Sequence, residues 1–210
     1  MPPPPAPIPT LPVRILRSLL RPLGLESRGR ALFHRLSRRP VAPMVSETSK
    51  CRGRLASYCT GYGIDLGFGG DPIMPAAIRM DMIKPYADYL GIHPVQLAGD
   101  VTDLHWFRDG VLDYVYSSHV LEDFVEIEPV LREWLRVLKP GGRLIIYCPD
   151  EQIYRKYCAD TGHPYNTHHI HADFSLAFVQ RALARLGGTR ELHASPHVEI
   201  YSWEIVVEKL

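Results

Sequence analysis

Glycines and carboxylates stand together at the end of one short apolar run. The stretch GIDLGFGGDP (63–72) places Asp65 and Asp71 on either side of Gly67, Gly69 and Gly70. Glycine accepts positive φ angles and lets a ligand approach bare backbone. A carboxylate in a poorly screened site repels phosphate. The turn is therefore suited to a ligand that has no phosphate and preferably carries a positive charge.

Other polar residues follow further apolar runs of the chain. The carboxyl ends of parallel strands meet at one edge of a sheet, where ligands bind in open α/β folds. We therefore expect these residues to share one edge with the glycine turn. They are Asp81 in AIRMDM (77–82), Asp100 in HPVQLAGDV (93–101), Ser117 to His119 in VLDYVYSSH (111–119), and Asp150 in GGRLIIYCPD (141–150).

A dinucleotide-binding turn is the competing interpretation of the glycines. The GxGxxG pattern counted from Gly67 requires glycine at position 72, which is Pro72. Asp71 would also lie beside the pyrophosphate. Both points argue against a nicotinamide-dependent oxidoreductase.

Histidines supply the candidate proton acceptors. His119 follows the fourth predicted strand and is a candidate general base, or else a structural histidine bonded to backbone. The segment HPYNTHHIHADFS (163–175) adds His163, His168, His169 and His171. His168 or His169 could bind substrate or act as a base, and a solvated loop is the alternative.

The same segment raises the question of a metal site. Its HHxH pattern lies in a predicted loop and lacks the HExxH logic of two ligands on one helical face. We therefore predict no metal site. Tyr154, Tyr157 and Tyr165 nearby would form an aromatic wall or simply pack.

Strand-like and helix-like patterns alternate from residue 61 onward. Five buried runs are followed by a closing strand pair, and helical spacing of apolar residues marks 126–139 and 173–188, the latter with Asp173 as N-cap. Such alternation predicts an α/β fold, a Rossmann-like seven-stranded, mostly parallel sheet with helices on both faces and the last strand antiparallel. Pro72 and Pro75 predict that the first crossover helix is reduced to a turn.

The N-terminal part differs from the rest in charge. Residues 1–58 hold eleven Lys or Arg against two acids, and 59–210 hold thirteen against twenty-one. We predict a disordered Pro-rich tail (1–12), a basic helical cap (13–58) and one further domain (59–210). The cap packs on that domain, or alternatively lies on anionic lipid or glycolipid. The acidic body argues against nucleic-acid binding.

The cellular compartment is predicted from what the chain lacks. No apolar run is long enough to cross a bilayer, and the beginning of the sequence does not have the order of a secretory signal. The four cysteines match no zinc pattern and require no disulfide framework. We therefore expect a cytoplasmic protein with reduced thiols.

Five blocks in order resemble the class I S-adenosylmethionine-dependent methyltransferases, most closely the type 11 group. They are GIDLGFGG, the strand ending at Asp81, GDVTDL, DYVYSSHVLEDF and LREWLRVLKPGGRLIIYCPD. The resemblance implies S-adenosyl-L-methionine as cofactor, with Asp81 on the ribose hydroxyls, Asp100 facing the adenine amino group and Val101 beside the ring. The implied cofactor-binding set is Asp65, Gly67, Phe68, Gly69, Gly70, Asp81, Met82, Asp100, Val101 and Ser118.

The resemblance also implies the activity. We expect methyl transfer to a small-molecule acceptor, with oxygen favoured over nitrogen or carbon because a histidine base (His119 or His169) suits a hydroxyl. The alternative is a degenerate methyltransferase fold that serves as a non-catalytic partner subunit, suggested by the altered Gly70–Pro72 turn. The sequence leaves the oligomeric state open.

Overall fold

The computed structural model describes residues 45–83 and 93–210, and Val45–Leu210 form one compact unit. The predicted Pro-rich tail and most of the predicted basic cap lie outside the described residues. The last part of the cap stretch, Glu47–Leu55, is a helix of this unit. The division of the chain at residue 59 stays a prediction.

A single seven-stranded sheet forms the centre of the fold, as the sequence predicts. The strand order is β3-β2-β1-β4-β5-β7-β6. All neighbours from β3 to β5 are parallel, and β7 runs antiparallel to both β5 and β6. The strands are β1 Gly63–Leu66, β2 Ile78–Asp81, β3 Leu97–Ala98, β4 Leu112–Ser118, β5 Leu138–Pro149, β6 Thr189–Val198 and β7 Ser202–Lys209.

Four α-helices accompany the sheet in the described part of the chain: α1 Glu47–Leu55, α2 Ile127–Val137, α3 Glu151–Thr161 and α4 Leu176–Leu186. Helix α3 is absent from the sequence-based prediction. The predicted N-cap Asp173 is wrong, because α4 begins later and the Ser175 hydroxyl accepts the hydrogen bond from the Phe178 amide.

Helices α2 and α4 cover one face of the sheet. Their apolar residues recur at helical spacing, so each presents one apolar stripe to the strands. Trp134 of α2 and Trp203 of β7 are fully buried in this core. The Trp134 indole donates a hydrogen bond to the Val101 carbonyl at 2.8 Å. The core therefore holds the loop after β3 in place.

The opposite face is covered by α1 and by the connection between β1 and β2. This connection, residues 67–77, contains turns and no helix, as Pro72 and Pro75 predict. Ile73 fills part of the space against the rings of Tyr114 and Tyr116. This face of the sheet is therefore covered in part by α1, a helix that precedes the first strand in the sequence.

Asp71 attaches α1 to the glycine turn. Its carboxylate accepts hydrogen bonds from the hydroxyl of Ser46, the N-cap of α1, and from the guanidinium of Arg52. Asp71 is 9% exposed. Asp71 belongs to the altered Gly70–Pro72 turn. Its carboxylate is therefore a structural clamp between α1 and this turn, and it is not a ligand contact that would repel phosphate.

We expect Asp71→Ala to lower the free energy of unfolding by about 1–3 kcal/mol, because Ser46 and Arg52 lose a charged partner. Hydrogen exchange should speed up first at the amides of α1. Asp109→Ala is the control, since Asp109 also pairs with an arginine but its side chain is 80% exposed, and it should change stability by less than about 0.5 kcal/mol. Equal losses in both variants, measured by denaturant unfolding, would contradict the clamp.

Candidate active site

A cavity of about 970 Å³ opens at the carboxyl ends of the parallel strands. It brings together most of the residues that the sequence singles out at strand ends and in the histidine-rich segment. These are Gly67, Phe68, Gly69, Asp81, Met82, Asp100, Val101, Ser118, His119 and His169.

The glycine turn and Asp81 form one hydrogen-bonded unit. Gly67 and Gly69 have φ angles of 69° and 57°, which an L-residue with a side chain rarely adopts. The Asp81 carboxylate accepts hydrogen bonds from the amides of Gly69 at 3.0 Å and Met82 at 2.8 Å. The end of β2 is thereby locked to the turn after β1.

Asp65 and Gly70 do not line the cavity. Asp65 is completely buried and accepts a hydrogen bond from the Ile73 amide at 2.6 Å. Burial raises the pKa of Asp65 to about 8. Its carboxyl supports the β1–β2 connection from beneath, so the interpretation of Asp65 as a direct ligand contact is corrected to a supporting one. Gly70, with a φ of 86°, completes the turn.

The loop after β3 contributes one polar and one apolar residue. Asp100 is exposed and lies beyond the short strand, where its carboxylate accepts hydrogen bonds from the Thr102 amide and hydroxyl. Val101 is 8% exposed, and Trp134 binds its carbonyl. Across the cavity, the buried Ser118 hydroxyl has no hydrogen-bond partner among the described residues.

His119 lies between two carboxyl groups. Its Nε2 is 3.4 Å from Glu47 Oε2, and its Nδ1 is 3.6 Å from Glu122 Oε1. Burial lowers the pKa of His119 to about 4, so the imidazole is neutral at neutral pH. Burial likewise raises the pKa of Glu122 to about 8, which keeps that carboxyl uncharged.

His169 is held by a second carboxylate. Its Nδ1 is 2.7 Å from Glu151 Oε2, and Glu151 also accepts hydrogen bonds from Arg155 and Tyr165. Burial alone would lower the pKa of His169, but the hydrogen bond to Glu151 outweighs it and raises that pKa, with a further contribution from Glu122 in its ionised form. His169 Nε2 lies 3.7 Å from Glu122 Oε1, so Glu122 stands between the two histidines.

Aromatic rings form one wall of the cavity. Tyr154 and Tyr201 line it with ring centroids 4.9 Å apart, and the Tyr154 centroid is 5.0 Å from that of His169. Tyr157 and Tyr165, which the sequence groups with Tyr154, pack behind these rings and do not line the cavity.

The remaining histidines of the segment differ in position. His163 and His168 line the cavity, whereas the His171 ring nitrogen Nε2 lies 2.8 Å from the Phe124 carbonyl. Among the described residues, no group of three or more His, Cys, Asp or Glu is arranged to hold a metal ion.

Sequence reasoning does not predict that two particular parts of the chain reach the cavity. Ser46, Glu47 and Thr48 come from the start of α1, and Tyr201 comes from the turn between β6 and β7. The Ser–Glu pair has the composition of a helix N-terminus, but nothing local indicates that this helix reaches the strand ends.

Comparisons with known proteins agree with this geometry. Residues 53–146 match the type 11 family model described as a methyltransferase domain. A demethylmenaquinone methyltransferase of Mycolicibacterium gilvum is 47% identical over 51 residues, which are 24% of this chain and 22% of that protein. The match thus spans about a fifth of the length of this curated relative.

Two solved structures show the same fold. An S-adenosylmethionine-dependent methyltransferase of Archaeoglobus fulgidus has a TM-score of 0.59 at 15% identity, covering 77% of this chain and 94% of that one. A second, from Thermotoga maritima and described as a possible histamine N-methyltransferase, has a TM-score of 0.58 at 18% identity, covering 79% and 88%.

Fold, cavity and family match agree on one class: residues 53–146, somewhat under half of the chain, match a methyltransferase domain, and the fold is that of S-adenosylmethionine-dependent methyltransferases. The predicted resemblance to the type 11 group is confirmed by the match over residues 53–146.

The cavity fits S-adenosylmethionine, which this class implies. No lysine or arginine is among the described residues that line it, so these residues offer a phosphate no permanent cation. Asp81 presents a carboxylate for ribose hydroxyls, Val101 an apolar surface, and Ser118 a hydroxyl that has no partner in the described part of the chain. Carboxylates also suit a ligand that carries sulfonium and ammonium groups.

Proposed function

We propose that this protein transfers a methyl group from S-adenosylmethionine to a hydroxyl of a small-molecule acceptor. The observation that carries the proposal is the shared cavity, which the glycine turn, Asp81, His119 and His169 all line. The glycines and Asp81 suit the donor, and the two imidazoles can take up or bind a proton.

The donor supplies a methyl group already activated by its sulfonium, so the protein must chiefly position and desolvate the two reactants. Gly67, Gly69 and Asp81 would hold the donor against the strand ends. His119 would take the hydroxyl proton, since its lowered pKa keeps it neutral. His169, fixed by Glu151, would bind and orient the acceptor or receive the proton.

Oxygen is favoured as the methylated atom for a chemical reason. A neutral imidazole is useful for a hydroxyl, which must lose its proton, and is not needed for a nucleophile that has none to lose. The name of the Mycolicibacterium relative suggests a quinone-type ring as one acceptor to test, and that of the Thermotoga protein suggests an amine.

We expect Asp81→Ala to weaken the binding of S-adenosylhomocysteine by about 1–3 kcal/mol, because ribose hydroxyls lose a charged hydrogen-bond acceptor. Isothermal calorimetry with the full chain measures this directly. Asp103→Ala is the control, since its side chain is 62% exposed and Asp103 does not line the cavity.

The calorimetry also separates the two candidate functions. Absence of binding by the wild-type protein at millimolar ligand would contradict the enzyme and support the degenerate fold. Binding should be followed by assays of S-adenosylhomocysteine release with catechol, 4-hydroxybenzoate, methyl glycosides and histamine. Turnover of histamine alone would contradict O-methylation.

The environment of the protein remains part of the proposal. Among the residues that the structure describes, no helix is both long and apolar enough to span a bilayer. We propose a cytoplasmic protein in which the part of the basic arm (13–58) that precedes α1 touches an anionic membrane or glycolipid surface. Sedimentation with vesicles containing anionic lipid, compared with neutral vesicles, tests that contact.

A further inference from the structure

Glu47 belongs to a part of the chain that the family match does not reach, since the match begins at residue 53. It occupies the first turn of α1 and is 17% exposed, and it lines the cavity beside His119. Nothing in the comparisons assigns a role to this residue.

The two oxygens of Glu47 have different surroundings. Oε1 accepts hydrogen bonds from the Lys50 ammonium at 2.6 Å and from the Tyr201 hydroxyl at 3.3 Å. Oε2 is buried and has no hydrogen-bond partner among the described residues, and it lies 3.4 Å from His119 Nε2, which is equally buried and unpartnered. The carboxylate oxygen and the ring nitrogen can therefore satisfy each other when a proton lies between them.

The charge of Glu47 determines which ring nitrogen of His119 must carry the proton for the two side chains to form a hydrogen bond. Burial raises the pKa of Glu47, but the charge of His119 in its protonated form and the charge and hydrogen bond of the Lys50 ammonium outweigh burial, and the net pKa is lowered. Glu47 is therefore ionised at neutral pH and can only accept hydrogen bonds. A neutral imidazole satisfies it only when its proton is on Nε2.

We propose that Glu47 is a positioning residue that holds His119 in the Nε2–H form and leaves Nδ1 as the proton-accepting atom. This inference rests on the proposed function. The acceptor hydroxyl gives its proton to Nδ1, and the resulting imidazolium keeps its Nε2 proton in a hydrogen bond to the Glu47 carboxylate. The same logic applies wherever a carboxylate fixes the tautomer of a histidine base.

The surroundings of the imidazole agree with this assignment. Glu122, 3.6 Å from Nδ1, is uncharged at neutral pH and does not compete as an anion for the same proton. The His119 and Tyr201 ring centroids are 6.3 Å apart, and Tyr201 also holds Glu47 Oε1. The clamp of Asp71 on Ser46 fixes the helix end from which Glu47 projects.

The test combines a tautomer measurement with kinetics. Long-range ¹H–¹⁵N spectra of the ¹⁵N-histidine-labelled full chain, with His119 assigned from the His119→Gln variant, should show the Nε2–H form. In Glu47→Gln the signal should move toward the Nδ1–H form or a mixture, and kcat should fall about 100-fold with KM nearly unchanged. Glu128→Gln makes the same change in the first turn of α2, away from the cavity, and should alter neither.

Two results would overturn the proposal. One is an Nδ1–H form in the wild-type protein, and the other is a Glu47→Gln variant with unchanged tautomer and unchanged kcat. The tautomer measurement requires neither donor nor acceptor. Its failure is therefore distinguishable from failure of the proposed function, which calorimetry with S-adenosylhomocysteine decides.

Discussion

Replacement of Glu151 by glutamine is expected to lower the free energy of unfolding by about 3 kcal/mol at pH 6. Glu151 is fully buried and receives hydrogen bonds from His169, Arg155 and Tyr165. Removing one member of a buried ion pair leaves the other charge uncompensated, which is the main source of the loss. Denaturant unfolding at several pH values measures it.

The loss should depend on pH in a defined direction. The raised pKa of His169 contributes stability in full below its ordinary value of 6.5, and this contribution is lost as pH rises through the folded value. Burial raises the pKa of Glu151, but its hydrogen bonds with His169, Tyr165 and Arg155 outweigh burial and lower that pKa. Its contribution is therefore present above 4.5 and lost on acidification. The difference between wild type and Glu151→Gln should thus be largest between about pH 4.5 and 6.5.

Asp160→Asn in the same helix is the appropriate control. Asp160 pairs with Lys156, and both side chains are largely exposed, so the change should be below about 0.5 kcal/mol. A Glu151→Gln loss that stays constant from pH 5 to pH 9 would contradict the charged pair and favour lost packing alone.

Replacement of His119 by alanine is expected to lower kcat by about 10²–10⁴-fold, the usual range for loss of a general acid–base group. Binding of S-adenosylhomocysteine should change little, because Asp81 and the glycine turn remain. In the wild-type enzyme, kcat/KM should stay constant down to about pH 5 and fall below it, since burial lowers the pKa of His119 to about 4. An ordinary histidine would lose activity already near 6.5.

The control for this variant is His105→Ala. His105 is exposed on the loop after β3, does not line the cavity, and should leave kcat and its pH profile unchanged. Activity of His119→Ala within twofold of wild type, on an acceptor that the wild-type protein methylates, would assign the proton transfer to His169 or to solvent.

The sheet and the strand-end residues of the site follow from local sequence patterns. Alternating buried strands predict the parallel sheet, and the strand-end rule then places Gly67, Asp81 and Ser118 at one edge, as observed. The prolines of the first connection predict the missing crossover helix. Each of these features is determined by residues that are close together in the sequence, and local patterns can therefore predict it.

The rest of the cavity lining depends on contacts between distant parts of the chain. Glu47 meets His119, and Tyr201 packs on Tyr154, only after α1 and the β6–β7 turn have folded over the strand ends. Helix α3 escapes prediction because EQIYRKYCADT is mostly polar, and its N-cap Asp150 follows a strand directly. Asp71 looks like a misplaced ligand contact because its true partners, Ser46 and Arg52, lie on a helix that local patterns do not connect to it.

The backbone at His119 has a consequence for the evolution of this protein. His119 has a φ of 54°, a left-handed conformation that costs an L-residue about 1–2 kcal/mol, and its amide is anchored to the Tyr147 carbonyl at 2.9 Å. Glycine or asparagine would relieve that strain while removing the imidazole. Selection for heat tolerance alone should therefore favour those residues at position 119, whereas retention of histidine there would support the role proposed for its imidazole.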